Sequence, residues 1–549
     1  MSNNIRMKSA VSAALLGTGL ALAPLGAIAQ LEEVVVTAQK RTESLQDAPL
    51  AVTAFSSDNL EALGAYDVTD VAEYTPNVSF VPTMGSTANI RMDIRGMSTA
   101  EPSLTVDPKV GVYLDGAYIA RNSGAVFDIV DLERIEIMRG PQGTLWGKNT
   151  TGGAVNLITA RPNGEFGFKQ QLSAGNDGYF RSVSTLDTAR FGSVAGRLTY
   201  MHKQTDGWAT NVGAGEKDLA SSDVDAFRIA IAWDVTDSFS VDYAYDQTDH
   251  DGVPAPLQIT AVTPDAADLI GTYYVDTTEF LGGFNPLGEL AKTAEKDDRL
   301  EKFNLDAITE EEVEISGHNL TMTWDVGNVT LKSITSYRDY ESVFNGNDLD
   351  GGSWGIEENG SFRSIPIFHT TGFKEQDQFQ QELQAVGDAF DGKLEYAVGL
   401  YYFEEDGEEV NPWDAGIYQP GTPVMLKGIV LGSWYTIDNQ SRAAYGQFTY
   451  RPTDDWYLTL GLRYTEDEKE LGLLASDPRL DEAKSYDEDW SEFTPAFTVG
   501  YQPSDDMNLY VKYAEGFNAG VYANPTDPTV ENIDPADPEE LTSYEIGMK

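Results

Sequence analysis

The 549-residue chain contains no cysteine. No disulfide can staple it, although export would permit one, and neither a thiolate metal site nor a cysteine nucleophile is available. Histidine is nearly as scarce: His202, His250, His318 and His369 are scattered, and no pair has the helical spacing of zinc ligands. Basic residues are few, 37 Lys and Arg against 88 Asp and Glu, for a formal net charge of −51. So acidic a surface repels polyanions, which excludes nucleic acid as a partner. Beyond Gln30 no stretch approaches the roughly 20 apolar residues of a membrane helix. No Ser/His/Asp or paired-carboxylate set with a definable geometry emerges, which argues against an exported enzyme.

What is present begins with an export signal. Arg6 and Lys8 precede a short apolar or small-residue run from Ala10 to Leu25, and Ala27-Ile28-Ala29 offers small residues for cleavage before Gln30. Residues 1–29 thus read as a secretory signal peptide. Further on, RGPQGTLWGKNTTGG (Arg139–Gly153) resembles a phosphate-binding loop at first sight. That motif needs four residues between its first glycine and Gly-Lys, Ser or Thr after the lysine, and a following helix. Only three residues separate Gly143 from Gly147, Asn149 follows Lys148, and the β-branched run Gly153–Thr159 favours a strand. The stretch reads as a series of tight turns between short strands.

Composition divides the mature chain in three. Residues 30–46 carry a β-branched run, Glu33-Val34-Val35-Val36-Thr37-Ala38, with strand propensity and no local partner. A free strand near a terminus can add to the sheet edge of another protein. Residues 47–162 form an α+β domain of ordinary size, with helical patterns at Ser57–Leu63 and Val68–Tyr74, a hairpin at Tyr113–Tyr118 turning on Asp115-Gly116, and alternation through Val130–Met138. From residue 163 to 549 period-two alternation dominates: Phe239, Val241, Tyr243 and Tyr245 share one face, as do Trp456, Leu458, Leu460, Leu462 and Tyr464. Brief polar turns (Asp234–Asp237, Gly327-Asn328, Gly387–Gly392, Pro452–Asp455, Pro503–Asp506) alternate with long connections at His250–Gly317, Val343–Lys374 and Glu404–Asn439. Short turns on one side, long loops on the other and an apolar outward face with aromatics near strand ends predict an all-β transmembrane barrel of antiparallel strands, about fourteen by this count. A globule of ~115 residues is about 35 Å across. Fourteen strands would enclose only about 28 Å, whereas twenty-two would give about 44 Å. The expectation is that the barrel is incomplete at its C-terminal side, as the stop at Lys549 inside an alternating strand also suggests.

Several motifs in order carry a family resemblance. Glu33–Ala38 is similar to a TonB box. Ile94-Arg95-Gly96, Gly111–Gly116 with Asp115-Gly116, Leu132–Glu136, Arg139-Gly140-Pro141-Gln142-Gly143 and Gly152-Gly153-Ala154 resemble the plug of TonB-dependent receptors. The resemblance covers the mature chain, and Tyr544–Lys549 resembles a strand well inside the family barrel, with further strands to follow. It implies a barrel of 22 antiparallel strands with an N-terminal α+β plug in the lumen, in the outer membrane of a Gram-negative bacterium among lipid and lipopolysaccharide. It implies energised import: TonB, driven by its inner-membrane complex and the proton gradient, pulls on the exposed box. It also implies a charge latch between plug and barrel, for which Arg95, Arg139, Glu382 and Glu545 are the candidates, both glutamates lying on the polar parity of their strands. No cofactor and no resident metal are implied. The ligand expected is a ferric siderophore, with oligosaccharide, cobalamin and haem as alternatives, and a passive porin as the alternative of another class. A porin would need neither plug nor box. Asp348, Asp350, Gly351 and Glu357 match part of a calcium-loop pattern, although Gly346 stands at its first ligand position.

Overall fold

The computed structural model describes residues 35–549 except 66, 84–85, 87, 100–102, 123–130, 213–217, 259, 261–298, 304, 306–309, 349–354, 359–360, 365–367, 419–424 and 526–532. The signal peptide, Glu33, Val34 and most of the calcium-like loop lie outside the described residues.

The chain opens with a small hairpin, β1 (Val35–Val36) antiparallel to β2 (Glu43–Ser44). The strand expected to be unpartnered therefore has a local partner. The turn between them is closed by Lys40 N–H donating to the Thr37 carbonyl, with Lys40 at a left-handed φ of 61°. Next come β3 (Val52–Ser56), α1 (Ser57–Leu63), α2 (Val68–Glu73), β4 (Val78–Pro82), β5 (Ile90–Ile94), β6 (Val110–Leu114), β7 (Ala117–Ile119), β8 (Leu132–Arg139) and β9 (Gly153–Thr159). Both helices begin on a side-chain cap, Ser56 with Asn59 and Asp67 with Asp70, each a reciprocal capping box. Their apolar faces (Leu60, Val68, Val71, Ala72) pack with Ile94, Val112, Ile135, Ile137 and Val155 into one core. The five-stranded sheet runs β3-β8-β9-β6-β7, with β9 parallel to β6 and the other pairs antiparallel.

The second body is one antiparallel sheet of fifteen strands: β10 (Gly167–Ala174), β11 (Phe180–Asp187), β12 (Val194–Thr205), β13 (Ser221–Thr236), β14 (Phe239–Val253), β15 (Glu310–Val326), β16 (Val329–Asp348), β17 (Phe368–Ala389), β18 (Leu394–Tyr418), β19 (Met425–Tyr450), β20 (Trp456–Leu473), β21 (Lys484–Phe493), β22 (Ala496–Ser504), β23 (Met507–Asn518) and β24 (Glu539–Met548). They follow one another round the wall, except that β21 and β22 both pair with β20. These two are halves of one strand, interrupted where Pro495 has no N–H to give the ladder. The wall thus has fourteen positions, the number read from the alternation. Among the described residues no ladder joins β10 to β24.

β20 displays the logic of the wall. Trp456, Leu458, Leu460, Leu462 and Tyr464 face outward, whereas Tyr457, Thr459, Arg463, Thr465, Asp467 and Lys469 are buried against the lumen. The outward band is closed at both ends by aromatics, as a bilayer-crossing strand requires. Above Tyr464 the outward residues become Glu466, Glu468 and Glu470, and the ladder continues to Leu473. The same happens on β18, so the span Glu404–Asn439, expected as a long loop, is mostly strand up to Tyr418 and again from Met425. His250–Gly317 and Val343–Lys374 likewise lose their ends to β14, β15, β16 and β17. Once the outward face turns acidic the alternation reverses its sense: Glu312, Glu314 and Glu470 face outward, whereas Val313, Ile315, Leu471 and Leu473 are buried. An outward-apolar pattern then no longer marks the strand, although the pleat continues.

Candidate functional site: the plug–barrel interface

The plug fills the lumen, so its functional side chains are those that meet the wall. The box-proximal segment is held first by the plug itself. Thr37 donates its backbone N–H to Glu136 Oε1 at 2.8 Å and its hydroxyl to the same carboxylate. Glu136, fully buried, also accepts from Arg134 Nε at 2.9 Å and Asn156 Nδ2 at 3.3 Å. Trp146 Nε1 donates to the Ala38 carbonyl at 2.9 Å, and Val36 is fully buried in a cluster with Trp146, Tyr113 and Phe403. Lys40 then reaches the wall: its Nζ lies 3.4 Å from Glu382 on β17 and 4.3 Å from the Trp146 ring centre. Burial pulls the Lys40 ammonium below its ordinary pKa, and Glu382 opposes the shift. In the hairpin, burial pushes the Glu43 carboxyl up to about 7 against the partial offset of Arg41.

The four candidate latch residues do not meet in one cluster. Arg95 occupies a turn with φ of 57°, followed by Gly96 at 82°, and its guanidinium lies 3.2 Å from Glu545 on β24. Both side chains of this pair are partly exposed. Arg139 stands beside Arg95 but makes no ion pair among the described residues; its Nη1 donates to the Pro76 carbonyl at 3.1 Å. Burial, and then the like charge of Arg95, lower its pKa. Glu382 is elsewhere, accepting from Lys40 and from Tyr445 Oη at 2.5 Å. The reason is register. Six ladder steps separate β17 from β24, about 29 Å of wall at ~4.8 Å per strand.

The glycine-rich stretch docks the plug rather than a nucleotide. Lys148 Nζ donates to Asp467 on β20 at 2.9 Å, and Thr150 Oγ1 donates to the Gly147 carbonyl at 2.6 Å. Pro141 packs on Gly516 and Gly143 lies against the Glu515 carbonyl, so β23 closes over this stretch. Gly140 (φ 90°) and Gly147 (φ 93°) supply turns that L-residues resist. At Gly153 a Cβ would lie 2.2 Å from the Met138 carbonyl oxygen, and at Gly152 one would touch Met97 and the Lys109 carbonyl. Asp115-Gly116 form the β6–β7 turn, both with positive φ, and the Asp115 carboxylate accepts from Thr159 N and Oγ1 at 2.8 Å and from Arg228 of the wall at 3.2 Å.

A buried ionic network, absent from the sequence reading, forms the densest contact. Arg121 grips Glu405 of β18 with two bonds of 2.7 Å and lies 3.5 Å from Asp107. Lys469 of β20 donates to Asp107 at 2.6 Å, beside the Lys148–Asp467 pair. Burial alone would raise Asp107, but Lys469, Arg121 and Lys148 outweigh it and hold the carboxyl at about 2. Just beyond, Glu409 accepts from the Leu104 N–H and lies 3.3 Å from Lys374. The signal was available in the sequence: Glu405, Glu409, Asp467 and Lys469 are charges on the lumenal parity of their strands. The edge of the plug sheet is met differently. Gln378 accepts from Ala120 N–H at 3.0 Å and donates to the Tyr118 carbonyl at 2.7 Å, and Gln380 accepts from Tyr118 N–H at 3.0 Å. On the outer face, cross-strand register gathers His202, Asp223 and Asp225, whose ligand atoms lie within 4.8 Å of one another. That trio was invisible to chain spacing.

Comparison with known proteins agrees with this architecture. Residues 44–154 match the TonB-dependent Receptor Plug Domain, and residues 262–549 match the TonB dependent receptor-like beta-barrel. The chain belongs to the TonB-dependent receptor family and is an outer-membrane protein of Gram-negative type. Among curated relatives, the pesticin receptor of Yersinia pestis is 24% identical over 523 residues, covering 94% of this chain and 68% of its own. The ferrichrome outer membrane transporter/phage receptor of Escherichia coli K12 is 30% identical over 148 residues, 27% of this chain and 19% of its own. Among solved structures, the ferric yersiniabactin uptake receptor FyuA of Yersinia pestis superposes with a TM-score of 0.72 at 17% identity, over 91% of this chain and 69% of that one. The siderophore receptor PiuA of Acinetobacter baumannii gives 0.68 at 16%, over 92% and 70%. The chain thus spans about two thirds of the length of the pesticin receptor and of both solved structures.

Proposed function

We propose that this receptor imports a ferric siderophore across the outer membrane, energised by TonB, which captures the segment Glu33–Ala38 by strand addition. Residues 30–46 act as box and tether, 47–162 as plug, and 163–549 as barrel. The observation that carries the reading is how the tether is held. The β1–β2 ladder is two residue pairs long, and Thr37 rests on a single carboxylate, Glu136. With Trp146 on the Ala38 carbonyl and Lys40 on Glu382, these contacts hold the described part of the box, Val35–Ala38, and a pull on it must break them in turn. The plug beyond it is fixed by the buried ionic network, so force applied at the box meets that resistance only after the hairpin is undone. Arg95 and Glu545 serve as one element of the plug–barrel latch, and Lys40 with Glu382 as another. An iron chelate is the cargo favoured by the relatives, whose names include yersiniabactin and ferrichrome carriers. Uptake of iron-55 from a panel of ferric siderophores tests the reading in cells carrying the gene with and without codons 33–38. Uptake that vanishes with the deletion, at equal receptor abundance in the outer membrane, is the expected result. Equal uptake in both strains would refute energised iron import.

A further inference from the structure

A cavity of about 310 Å³ lies between the plug and the wall on the side of the tether, bounded by β9, the Asp115-Gly116 turn and strands β13 to β16. Its volume is at the lower end of the range for small-molecule sites. In a chain with 37 basic residues among 549, six line this one space: Lys40, Arg41, Arg134, Arg161, Arg228 and Lys332. Two acids, Asp115 and Asp242, face them. Four of the cations are committed: Lys40 to Glu382, Arg41 to Glu43 and Glu395, Arg134 to Glu133 and Glu136, and Arg161 to Asp234 and Asp242. The other two have donors to spare. Arg228 is 95% buried, spends Nη2 on Asp115 at 3.2 Å, and leaves Nε and Nη1 buried without a partner. The Lys332 ammonium has no hydrogen bond or ion pair among the described residues, although it lies in the field of Glu382 and Asp242. A buried guanidinium with idle N–H groups is costly unless something accepts from it.

We infer that this cavity is an anion-selective waypoint that holds a carboxylate of a small polycarboxylate between Arg228 and Lys332. Arg228 contributes its positive charge and a single N–H to the carboxylate, and Lys332 closes the other side as a point charge. Placed behind the plug and beside the tether, it would take the acidic arms of a ligand on its way to the periplasm. That role rests on the import reading; the selectivity itself does not, and the two can fail separately.

The absence of cysteine supplies the test. Thr321→Cys, on the wall of the cavity, gives the purified chain a single thiol, and Ala160→Cys gives a second position should the first not fold. Each is reacted with the anionic sulfonatoethyl and the cationic trimethylammonium-ethyl methanethiosulfonates, with rates normalised to those of a small free thiol. The sulfonate should win by about tenfold or more, as a cleft lined by one sign of charge concentrates its counter-ion. Arg228→Gln or Lys332→Gln should each erase most of that preference, and citrate should protect the thiol only when both cations are present. A ratio at or below one, which the net charge of −51 favours at any unselective point, overturns the proposal. So does a ratio that neither substitution changes. Neither readout involves TonB, so loss of uptake in the deletion strain and loss of selectivity here are independent results.

Discussion

The tether hairpin should loosen as pH rises, and the reason is Glu43. Its side chain is folded against the plug, with Oε2 accepting from Gln39 at 3.2 Å and near Arg41 at 3.5 Å, while Oε1 is buried without a partner. Desolvation therefore favours the neutral acid and lifts the pKa from 4.5 to about 7. When the hairpin undocks, the carboxyl returns to water and to its ordinary value. Docking then takes up a proton between these two values. The raised pKa in the docked state means that the stabilisation is complete below pH ~4.5 and is lost as pH rises to ~7, after which it is flat. From pH 5 to pH 8 the docking constant should fall by roughly 30- to 100-fold, or about 2–3 kcal/mol at 1.36 kcal/mol per pKa unit. A spin label at Val35→Cys, a partly exposed position in a chain with no other thiol, reports the mobile and immobile fractions by continuous-wave EPR. The mobile fraction should grow with pH, and Glu43→Gln should stay docked and flat across the range. A spectrum that is constant, or that sharpens towards acid, would refute the linkage, as would an unchanged slope in the glutamine variant.

Arg121→Met should cost about 3–5 kcal/mol of plug–barrel cohesion, because Glu405 is left buried without its bidentate partner and Asp107 loses one of its cations; limited proteolysis of the plug against temperature would measure it. Asp107 gives that network an acid limit: held at about 2, its contribution is present above its ordinary 3.8 and is lost as pH falls through 2, so plug protection should survive to about pH 4 and fail below. Gly153→Ala should lower the thermal midpoint by an amount equivalent to about 1–3 kcal/mol, since φ is 154° and the new Cβ would clash with the Met138 carbonyl at 2.2 Å. Glu545→Gln should cost at most about 1 kcal/mol in the same melt, because its pair with Arg95 is partly solvated.

Most of the fold was legible because it rests on local rules. Helical patterns marked both plug helices, Asp115-Gly116 marked a hairpin, and alternating hydropathy marked the bilayer-crossing half of each wall strand. What stayed hidden was the upper half of those strands, where Glu466, Glu468 and Glu470 replace apolar outward residues and buried apolar ones such as Val313, Ile315 and Leu471 turn the alternation inward. The site was legible only in part. Plug motifs mark Arg95 and Arg139 and strand parity marks Glu382 and Glu545; Arg95 and Glu545 do meet, but parity says nothing about position round a barrel, and Glu382 lies elsewhere. Parity places Glu405, Asp467 and Lys469 in the lumen, but their pairing with Arg121 and Asp107, like the trio His202, Asp223 and Asp225, depends on register between strands, which no spacing within one chain segment encodes. The tether hairpin escaped for a similar reason: two β-branched residues promised a strand, but its partner is an unremarkable Glu43-Ser44 pair fixed by burial of Val36.

The glutamines of β17 have a mechanical consequence. The plug sheet ends in β7, whose free edge would otherwise be an open template for pairing, against a wall made entirely of strands. Direct pairing would have welded plug and wall into a single ladder. Gln378 and Gln380 instead answer the edge with amides on flexible stems, while the backbone of β17 stays bonded to β16 and β18. The plug is therefore buttoned to the barrel rather than woven into it. Each amide can let go singly, and the wall loses none of its own hydrogen bonds when the plug moves.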